Sequence, residues 1–244
     1  MLLSSKALQI SRLRSAGRCL KISGWVLVPT YLVMLAAIYA AFLYAPTERV
    51  MGDVQRIFYF HVSAAIVSFA VFIGVFLGGI GYLVTRDRFW DSLAASSVDV
   101  GLFLTAIVLT TGPIWSKPAW NVWLKWDDPR VLTELILLVI CVAYVILRTA
   151  FPEGHRKYAV CAVFGIIGAL DVPIIYMSVH WWNTFHPVVI TMSEVKLDPM
   201  MQQAGLVALS AFLLLALVLL LQRVSIRLHD MITKDILKNL REQE

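Results

Sequence analysis

The chain has 244 residues, of which 59% are hydrophobic and only 15% are charged. A water-soluble domain of this size rarely has so little polar surface, so the composition argues against a soluble fold and predicts a membrane protein. The formal net charge of +5 does not indicate a nucleic-acid-binding surface, because most of the cations lie on one side of the predicted bundle of helices.

Six apolar stretches are each long enough to cross the hydrocarbon core, which takes about 20 helical residues. They cover residues 25 to 45, 57 to 84, 93 to 112, 131 to 150, 158 to 178 and 203 to 222. The sequence therefore predicts an all-α membrane protein that forms a single six-helix domain over residues 1 to 244. No internal repeat or Pro-rich linker divides this domain.

The positive charges are divided unequally between the two sides of such a bundle. With both termini on one side, 15 of the 21 Lys and Arg residues fall on that side and 6 on the other. Because cytoplasmic segments carry the excess of Lys and Arg, we predict that both termini are cytoplasmic. Residues 1 to 24 form a basic tail, either helical on the inner leaflet or solvated, and residues 223 to 244 form an amphipathic tail that docks a partner or rests on the membrane.

Two outer loops have well-defined ends, because Asp128 precedes Pro129 and Asp198 precedes Pro199. A capping carboxylate followed by proline at the first helical position is typical of a helix N-terminus. The sequence therefore predicts one outer loop over residues 113 to 128, between the third and fourth spans, and another over residues 179 to 198.

The first of these loops holds four tryptophans within twelve positions, Trp115, Trp120, Trp123 and Trp126. An aromatic belt should occupy both membrane interfaces, whereas six of the eight tryptophans fall on the outer side. Trp120, Trp123 and Trp126 recur every third residue and are predicted to share one helical face. A row of indoles suits a large, flat, aromatic ligand, and a porphyrin meets that description.

Cations around this loop are candidate partners for the two propionates of such a porphyrin. Lys117, Lys125 and Arg130 lie in or beside the loop, and Arg49 and Arg56 lie in the first outer loop. Each of them is equally suited to propionates, through charge-assisted hydrogen bonds, and to lipid headgroups.

Three histidines lie at or near the outer side, His61, His180 and His186. Haem iron accepts two axial imidazoles from opposite faces, so two histidines on separate segments that flank the indoles are candidate ligands. His61 lies near the start of the second span, where an ionisable side chain is a functional candidate. Spacing alone does not choose between His180 and His186 as the second ligand.

Three motifs occur in order along nearly the whole chain. They are R-I-x-Y-x-H-V at residues 56 to 62, the tryptophan loop at residues 112 to 127 and V-x-W-W-N-T-x-H at residues 179 to 186. Together with the six spans, they make the sequence resemble the cytochrome c assembly proteins with a tryptophan-rich (WWD) domain, specifically the haem exporter protein C (CcmC) type. Ser116 and Asn121 stand where glycines are usual in that family.

The resemblance implies that His61 and His186 are the axial ligands of haem b and that His180 is a neighbour. Together with the loop analysis, it predicts a set of further residues that bind the porphyrin: Trp115, Trp120, Trp123, Trp126, Asp127, Arg56, Lys117 and Arg130. It also implies a location in the bacterial inner membrane.

The partners that the resemblance implies are ABC transporter subunits of the haem exporter A and B type, a small D-type membrane subunit and the membrane lipid, with no nucleic acid. An E-type periplasmic haem chaperone, tethered to the membrane, would receive haem at the periplasmic face. No nucleophile and base pair is visible on the outer side, so we expect a haem-handling component with no reaction wholly its own.

One alternative function is a bis-histidine electron-transfer cytochrome subunit. Such a protein usually buries both ligands between spans, at facing helix positions, and does not hold them on outer loops beside tryptophan. A secondary transporter is a further possibility, but it would show inverted repeats, which this sequence lacks.

Two carboxylates, Asp99 and Asp171, lie inside predicted spans. A charged side chain there costs about 2.5 to 3.5 kcal/mol on insertion scales, so each needs a partner or a protonated state. For Asp171 we expect a structural hydrogen bond, with proton transfer or the shaping of a haem path as the alternative roles.

Overall fold

A computed structural model describes residues 2 to 182 and 197 to 241 of the chain, with the side chains of residues 2 to 8 left out. The described part contains six α-helices: α1 (Leu2–Tyr39), α2 (Arg56–Thr85), α3 (Arg88–Trp120), α4 (Pro129–Ala150), α5 (His155–Trp181) and α6 (Pro199–Arg241). All six are long and apolar enough to cross a membrane. The predicted all-α fold with six spans is therefore confirmed.

The helices extend well beyond the apolar stretches that identified them. Residues 2 to 24, which were expected to form a separate tail, continue into the first span as the single helix α1. Likewise, α6 continues to Arg241. Hydropathy marks only the part of a helix that suits lipid, whereas the helix itself continues for as long as its backbone hydrogen bonds do.

The amphipathic tail at the end of α6 has five residues on its predicted apolar face, and three of them pack within the chain. Leu228, Met231 and Ile232 are buried, with Leu228 and Met231 in a cluster that includes Ala16 of α1. Two further residues of that face, Leu237 and Leu240, are exposed.

One end of the bundle carries both described chain ends and several ion pairs. Arg12 of α1 lies 2.8 Å from Asp87, in the turn between α2 and α3, and Arg88 lies 2.7 Å from Asp235 of α6. The two ends of the described chain are therefore on the same side of the bundle, as six spans require. That this side is the cytoplasmic one stays a prediction.

The turn between α4 and α5, at this same end, is anchored by Glu153. Its carboxylate accepts hydrogen bonds from the Tyr158 hydroxyl at 2.6 Å and from Lys157 at 3.1 Å, and it lies 3.4 Å from Lys234 of α6. Burial alone would raise the pKa of Glu153, but these hydrogen bonds outweigh it and hold the pKa at about 2. The carboxylate therefore stays ionised at physiological pH, and its contribution to stability is lost only as the pH falls from about 4.5 towards 2.

Close approach of α2 and α3 depends on a glycine. A methyl group placed on Gly78 would lie 2.7 Å from the backbone nitrogen of Ala94, which is too close for any side chain. Helices in lipid associate mainly through van der Waals packing, so a small residue at the contact lets the two backbones meet. Gly78 therefore has a packing role between α2 and α3.

The carboxylates of α3 that lie among the helices are paired with arginines. Asp91 accepts two hydrogen bonds from Arg148 of α4, at 2.8 and 2.7 Å. Asp99 lies 2.7 Å from Arg227 of α6, so it has the partner that its position in an apolar span requires. Asp171 of α5 differs, because it is buried and its Oδ2 has no hydrogen-bond partner among the described residues. The structural hydrogen bond expected of Asp171 is therefore absent at this oxygen.

The Asp91–Arg148 pair gives a test of this packing. Asp91→Leu leaves a largely buried guanidinium without its partner, and we expect it to lower the free energy of unfolding by about 3 to 5 kcal/mol. The double variant Asp91→Leu/Arg148→Met removes both charges and should recover most of that loss. The measurement is the melting temperature of the purified protein in detergent.

Asp230→Ala is the control for this experiment, because the ion pair between Lys234 and Asp230 is half exposed and such pairs contribute at most about 1 kcal/mol. If the single variant Asp91→Leu had the same melting temperature as the wild-type protein, the buried pair would not hold α3 to α4.

Candidate functional site

A cavity opens at the end of the bundle opposite the chain ends, between α2, α3, α4 and the segment that follows α3. Its walls include His61 of α2, Trp115 and Trp120 of α3, and Arg130 and Glu134 of α4. Apolar side chains make up much of the remaining lining: Val108, Leu109, Pro113, Val122, Leu124 and Val131. A largely apolar cavity with a few polar groups is typical of a site for an organic ligand.

The α3 residues that line the cavity lie largely beyond the predicted end of the third span. The third span was predicted to end at residue 112, with a loop over residues 113 to 128, but α3 continues to Trp120 with Pro113 and Pro118 inside it. The loop prediction is therefore wrong for residues 113 to 120. Proline in a membrane helix is tolerated where neighbouring groups satisfy the freed backbone, so the two prolines did not mark the end of the helix.

The end of α3 is set by Asn121 and Ser116. Asn121 has a φ of 58°, in the left-handed region, which asparagine tolerates better than most residues other than glycine. The Ser116 hydroxyl lies 2.8 Å from the carbonyl oxygens of both Val122 and Trp123. It therefore ties the segment after α3 back onto the helix and across the cavity.

The four tryptophans of this region divide into two pairs. Trp115 is 9% exposed and packs edge to face against Trp120, with ring centroids 4.6 Å apart, and both line the cavity. Trp123 and Trp126 are 61% and 69% exposed and are not among the described residues that line it. The predicted shared face of Trp120, Trp123 and Trp126 is wrong, because the helix ends at Trp120. The structure pairs Trp120 with Trp115 instead.

His61 lies in the second turn of α2, and its ring lines the cavity. Its Nδ1 is 2.8 Å from the hydroxyl oxygen of Thr111 on α3. Gly112 lies beside the ring, since a methyl group placed there would be 3.5 Å from the ring atom Cε1 of His61. The imidazole is therefore held against the same helix that carries Trp115 and Trp120.

Of the two candidates for a second axial ligand, only His180 is described. It lies in the last turn of α5, is exposed, and packs against Tyr176 with ring centroids 5.7 Å apart. It is not among the described residues that line the cavity. His186 lies outside the described residues, so its pairing with His61 stays a prediction.

Two of the predicted propionate-binding cations make other bonds. The Arg56 guanidinium donates to the carbonyl oxygens of Ala41 and Ala45, at 2.6 and 3.3 Å, and to the Asp53 carboxylate at 2.9 Å. It therefore satisfies carbonyls at the end of the first span and joins that span to α2. Lys117 donates to the Asn121 side chain at 2.9 Å, at the C-terminus of α3.

Two other cations of the outer end line the cavity, Lys125 and Arg130. Lys125 lies 3.7 Å from Asp127, whose side chain is 78% exposed. The Arg130 side chain is partly buried, and its charged neighbours within the described residues are the carboxylates of Glu134 and Asp128, neither of which is within ion-pair distance. Arg130 is thus the cation of the cavity best placed to bind an anionic group of a ligand.

The cap at the start of α4 fixes the position of Arg130 beside the cavity. The buried Asp128 carboxylate accepts a hydrogen bond from the backbone N–H of Arg130 at 3.0 Å, and Pro129 is the first helical residue. The predicted cap is therefore confirmed, as is the equivalent one at Asp198, which accepts from the N–H of Met200 at 2.8 Å. The cap fixes Arg130 in the first turn.

Thr111 and Gly112 are contacts of the site that the sequence did not identify. The bond between Thr111 and His61 joins residues 50 positions apart, and nothing in one sequence pairs them. The only sequence signal is that a hydroxyl-bearing residue and a glycine stand at the start of the tryptophan-rich segment.

Comparison with known proteins gives a consistent result. The family model of Heme exporter protein C matches residues 10–238. The Heme exporter protein C of Escherichia coli strain K12 is 32% identical over 200 residues, which cover 82% of this chain and 81% of that protein. The Heme exporter protein C of Haemophilus influenzae is 30% identical over 168 residues, covering 69% of this chain and 68% of that protein.

A plant protein shows the same similarity. The putative cytochrome c biosynthesis ccmC-like mitochondrial protein of Marchantia polymorpha is 33% identical over 150 residues, which cover 62% of this chain and 63% of that protein. The family model covers most of the chain, including all the described residues that line the cavity. The chain therefore belongs to the Heme exporter protein C (CcmC) family.

Proposed function

We propose that this multi-pass inner-membrane protein is the haem-binding subunit of a cytochrome c maturation haem exporter, and that it presents haem at the periplasmic face. The observation that carries the proposal is the convergence of His61, Trp115, Trp120 and Arg130 on one cavity. Relatives named for haem export and cytochrome c biosynthesis support the choice of haem as the ligand.

The lining of the cavity fits the three chemical parts of haem. The His61 imidazole is a ligand for iron, and the Trp115 and Trp120 indoles are apolar partners for the macrocycle. Aromatic contacts of this kind add about 0.5 to 1.5 kcal/mol per pair beyond the area that they bury. Arg130 supplies a charge-assisted hydrogen bond to a propionate. When bound, haem b supplies an iron centre with two axial positions.

The second axial ligand in this proposal is His186, because it completes the V-x-W-W-N-T-x-H motif, one of the three motifs on which the resemblance to the family rests. Trp123 and Trp126 are exposed and neighbour cavity-lining residues in the chain, so in this proposal they form the apolar surface where a partner meets the haem, with Asp127 beside them. Arg56 and Lys117 remain proposed propionate ligands, but each would have to give up its hydrogen bonds to do so.

A site at the open end of the bundle suits the transfer of haem to a partner protein. A haem held beside exposed tryptophans is accessible to an E-type periplasmic chaperone, whereas a haem buried between spans is not. The remaining partners that we propose are ABC subunits of the A and B type and the small D-type subunit. Because His61 lies at the end of the bundle, beside this exposed surface, an electron-transfer cytochrome with ligands buried between spans is a poorer match.

The first test is the absorption spectrum of the purified protein. We expect His61→Ala to lose the low-spin haem spectrum, because one axial imidazole is removed, and His186→Ala to lose it for the same reason. His180→Ala is the matched control and should keep the wild-type spectrum. A wild-type spectrum in His61→Ala would contradict the proposed ligation.

The second test concerns Arg130 and compares haem with haem dimethyl ester, whose propionates are uncharged. Hydrogen bonds to charged groups contribute about 1.5 to 3 kcal/mol, so Arg130→Gln should weaken haem binding by roughly 10- to 100-fold. Binding of the ester should change far less. Titration of the purified protein with each compound measures both affinities.

Arg14→Gln is the control for this test, since Arg14 is an exposed arginine of α1 at the opposite end of the bundle and is not among the described residues lining this cavity. It should leave both affinities unchanged. Equal losses for haem and its ester in Arg130→Gln would show that Arg130 does not bind a propionate.

A further inference from the structure

The hydroxyl of Thr111 lies between carbonyl oxygens of its own helix and the ring of His61. Its oxygen is 2.7 Å from the carbonyl oxygen of Ile107, one turn earlier in α3, 3.3 Å from that of Val108, and 2.8 Å from Nδ1 of His61. Two oxygen atoms this close repel each other unless a proton lies between them, and a threonine hydroxyl has only one proton. Thr111 therefore donates to Ile107, a bond that threonine often makes within a helix.

The direction of that hydrogen bond determines which nitrogen of the His61 imidazole carries the proton. With its proton on the Ile107 side, the Thr111 hydroxyl presents a lone pair to His61, so Nδ1 must carry the proton that joins the two side chains. In a neutral imidazole only one nitrogen is protonated. The lone pair that can coordinate a metal is therefore on Nε2.

The ring also lies close to the backbone of α3. Gly112 lies beside it, close enough that a methyl group there would touch Cε1 at 3.5 Å. Trp115, one turn further along α3, lines the same cavity as His61. A single rigid helix therefore sets both the orientation of the imidazole and the position of the indole.

We propose that Thr111 is a positioning residue that fixes His61 as its Nδ1-protonated tautomer and directs Nε2 to the haem iron. The proposal rests on the proposed function, in which His61 is an axial ligand. Thr111 acts through the imidazole, because its hydroxyl is engaged by His61 and Ile107. Removal of such outer partners of a metal ligand typically weakens metal binding by about 10- to 100-fold.

The test uses Thr111→Val, which keeps the shape of the side chain and removes the hydroxyl. We expect ferric haem to bind about 10- to 100-fold more weakly and to show a high-spin fraction by absorption and electron paramagnetic resonance. Thr111→Ser keeps the hydroxyl and should restore the wild-type affinity and spin state. Thr111→Ala should behave like Thr111→Val, which guards against a packing defect specific to valine.

Thr110→Val is the matched control, because among the described residues the exposed Thr110 hydroxyl bonds only to carbonyls of its own helix, those of Ala106 and Ile107. It should leave haem affinity and spin state unchanged. Thr111→Val with wild-type affinity and a wholly low-spin spectrum would overturn the proposal.

A double-variant comparison separates positioning from a general effect on the fold. In the His61→Ala background, Thr111→Val should cause no further loss of haem, because the ligand through which it acts is gone. The same fold-loss with and without His61 would overturn the proposal while leaving the haem-binding function intact. Retention of the low-spin spectrum by His61→Ala alone would instead overturn the proposed function, and the role of Thr111 with it.

Discussion

The packing of α2 against α3 is the constraint on which the rest of the site depends. At one level of the bundle, Gly78 lets the α2 backbone meet α3 at Ala94. Nearer the outer end, the hydrogen bond between His61 and Thr111 joins the same two helices. Because an α-helix is rigid over this length, contact at both levels fixes the imidazole relative to the indoles of Trp115 and Trp120.

On the other side of the cavity, hydrogen bonds between residues close in sequence fix the start of α4 and the segment that follows α3. Asp128 caps α4 and so places Arg130 in its first turn, while Ser116 holds the connecting segment against α3. The imidazole of His61, the indoles of Trp115 and Trp120 and the guanidinium of Arg130 thus come from three different helices. This arrangement offers an imidazole, an aromatic surface and a cation to one ligand, and it leaves Trp123 and Trp126 exposed for contact with a partner.

Much of this structure could be predicted from sequence, for identifiable physical reasons. Apolar length predicted the six spans, and the Asp-Pro pairs predicted the starts of α4 and α6, because both signals are local. The end of α3 was missed, since hydropathy falls at residue 112 whereas the helix continues to Trp120. The bonds of Arg56 and the pairing of His61 with Thr111 join positions far apart in the chain, and a single sequence carries no signal for them.

The central claim is that one iron porphyrin rests in the cavity formed by α2, α3 and α4. A density map of the haem-loaded protein in lipid tests it most directly. The account predicts iron within coordination distance of Nε2 of His61, the macrocycle in contact with Trp115 and Trp120, and a propionate at Arg130. Haem bound elsewhere, with the His61 ring turned away from iron and these indoles facing lipid, would contradict it.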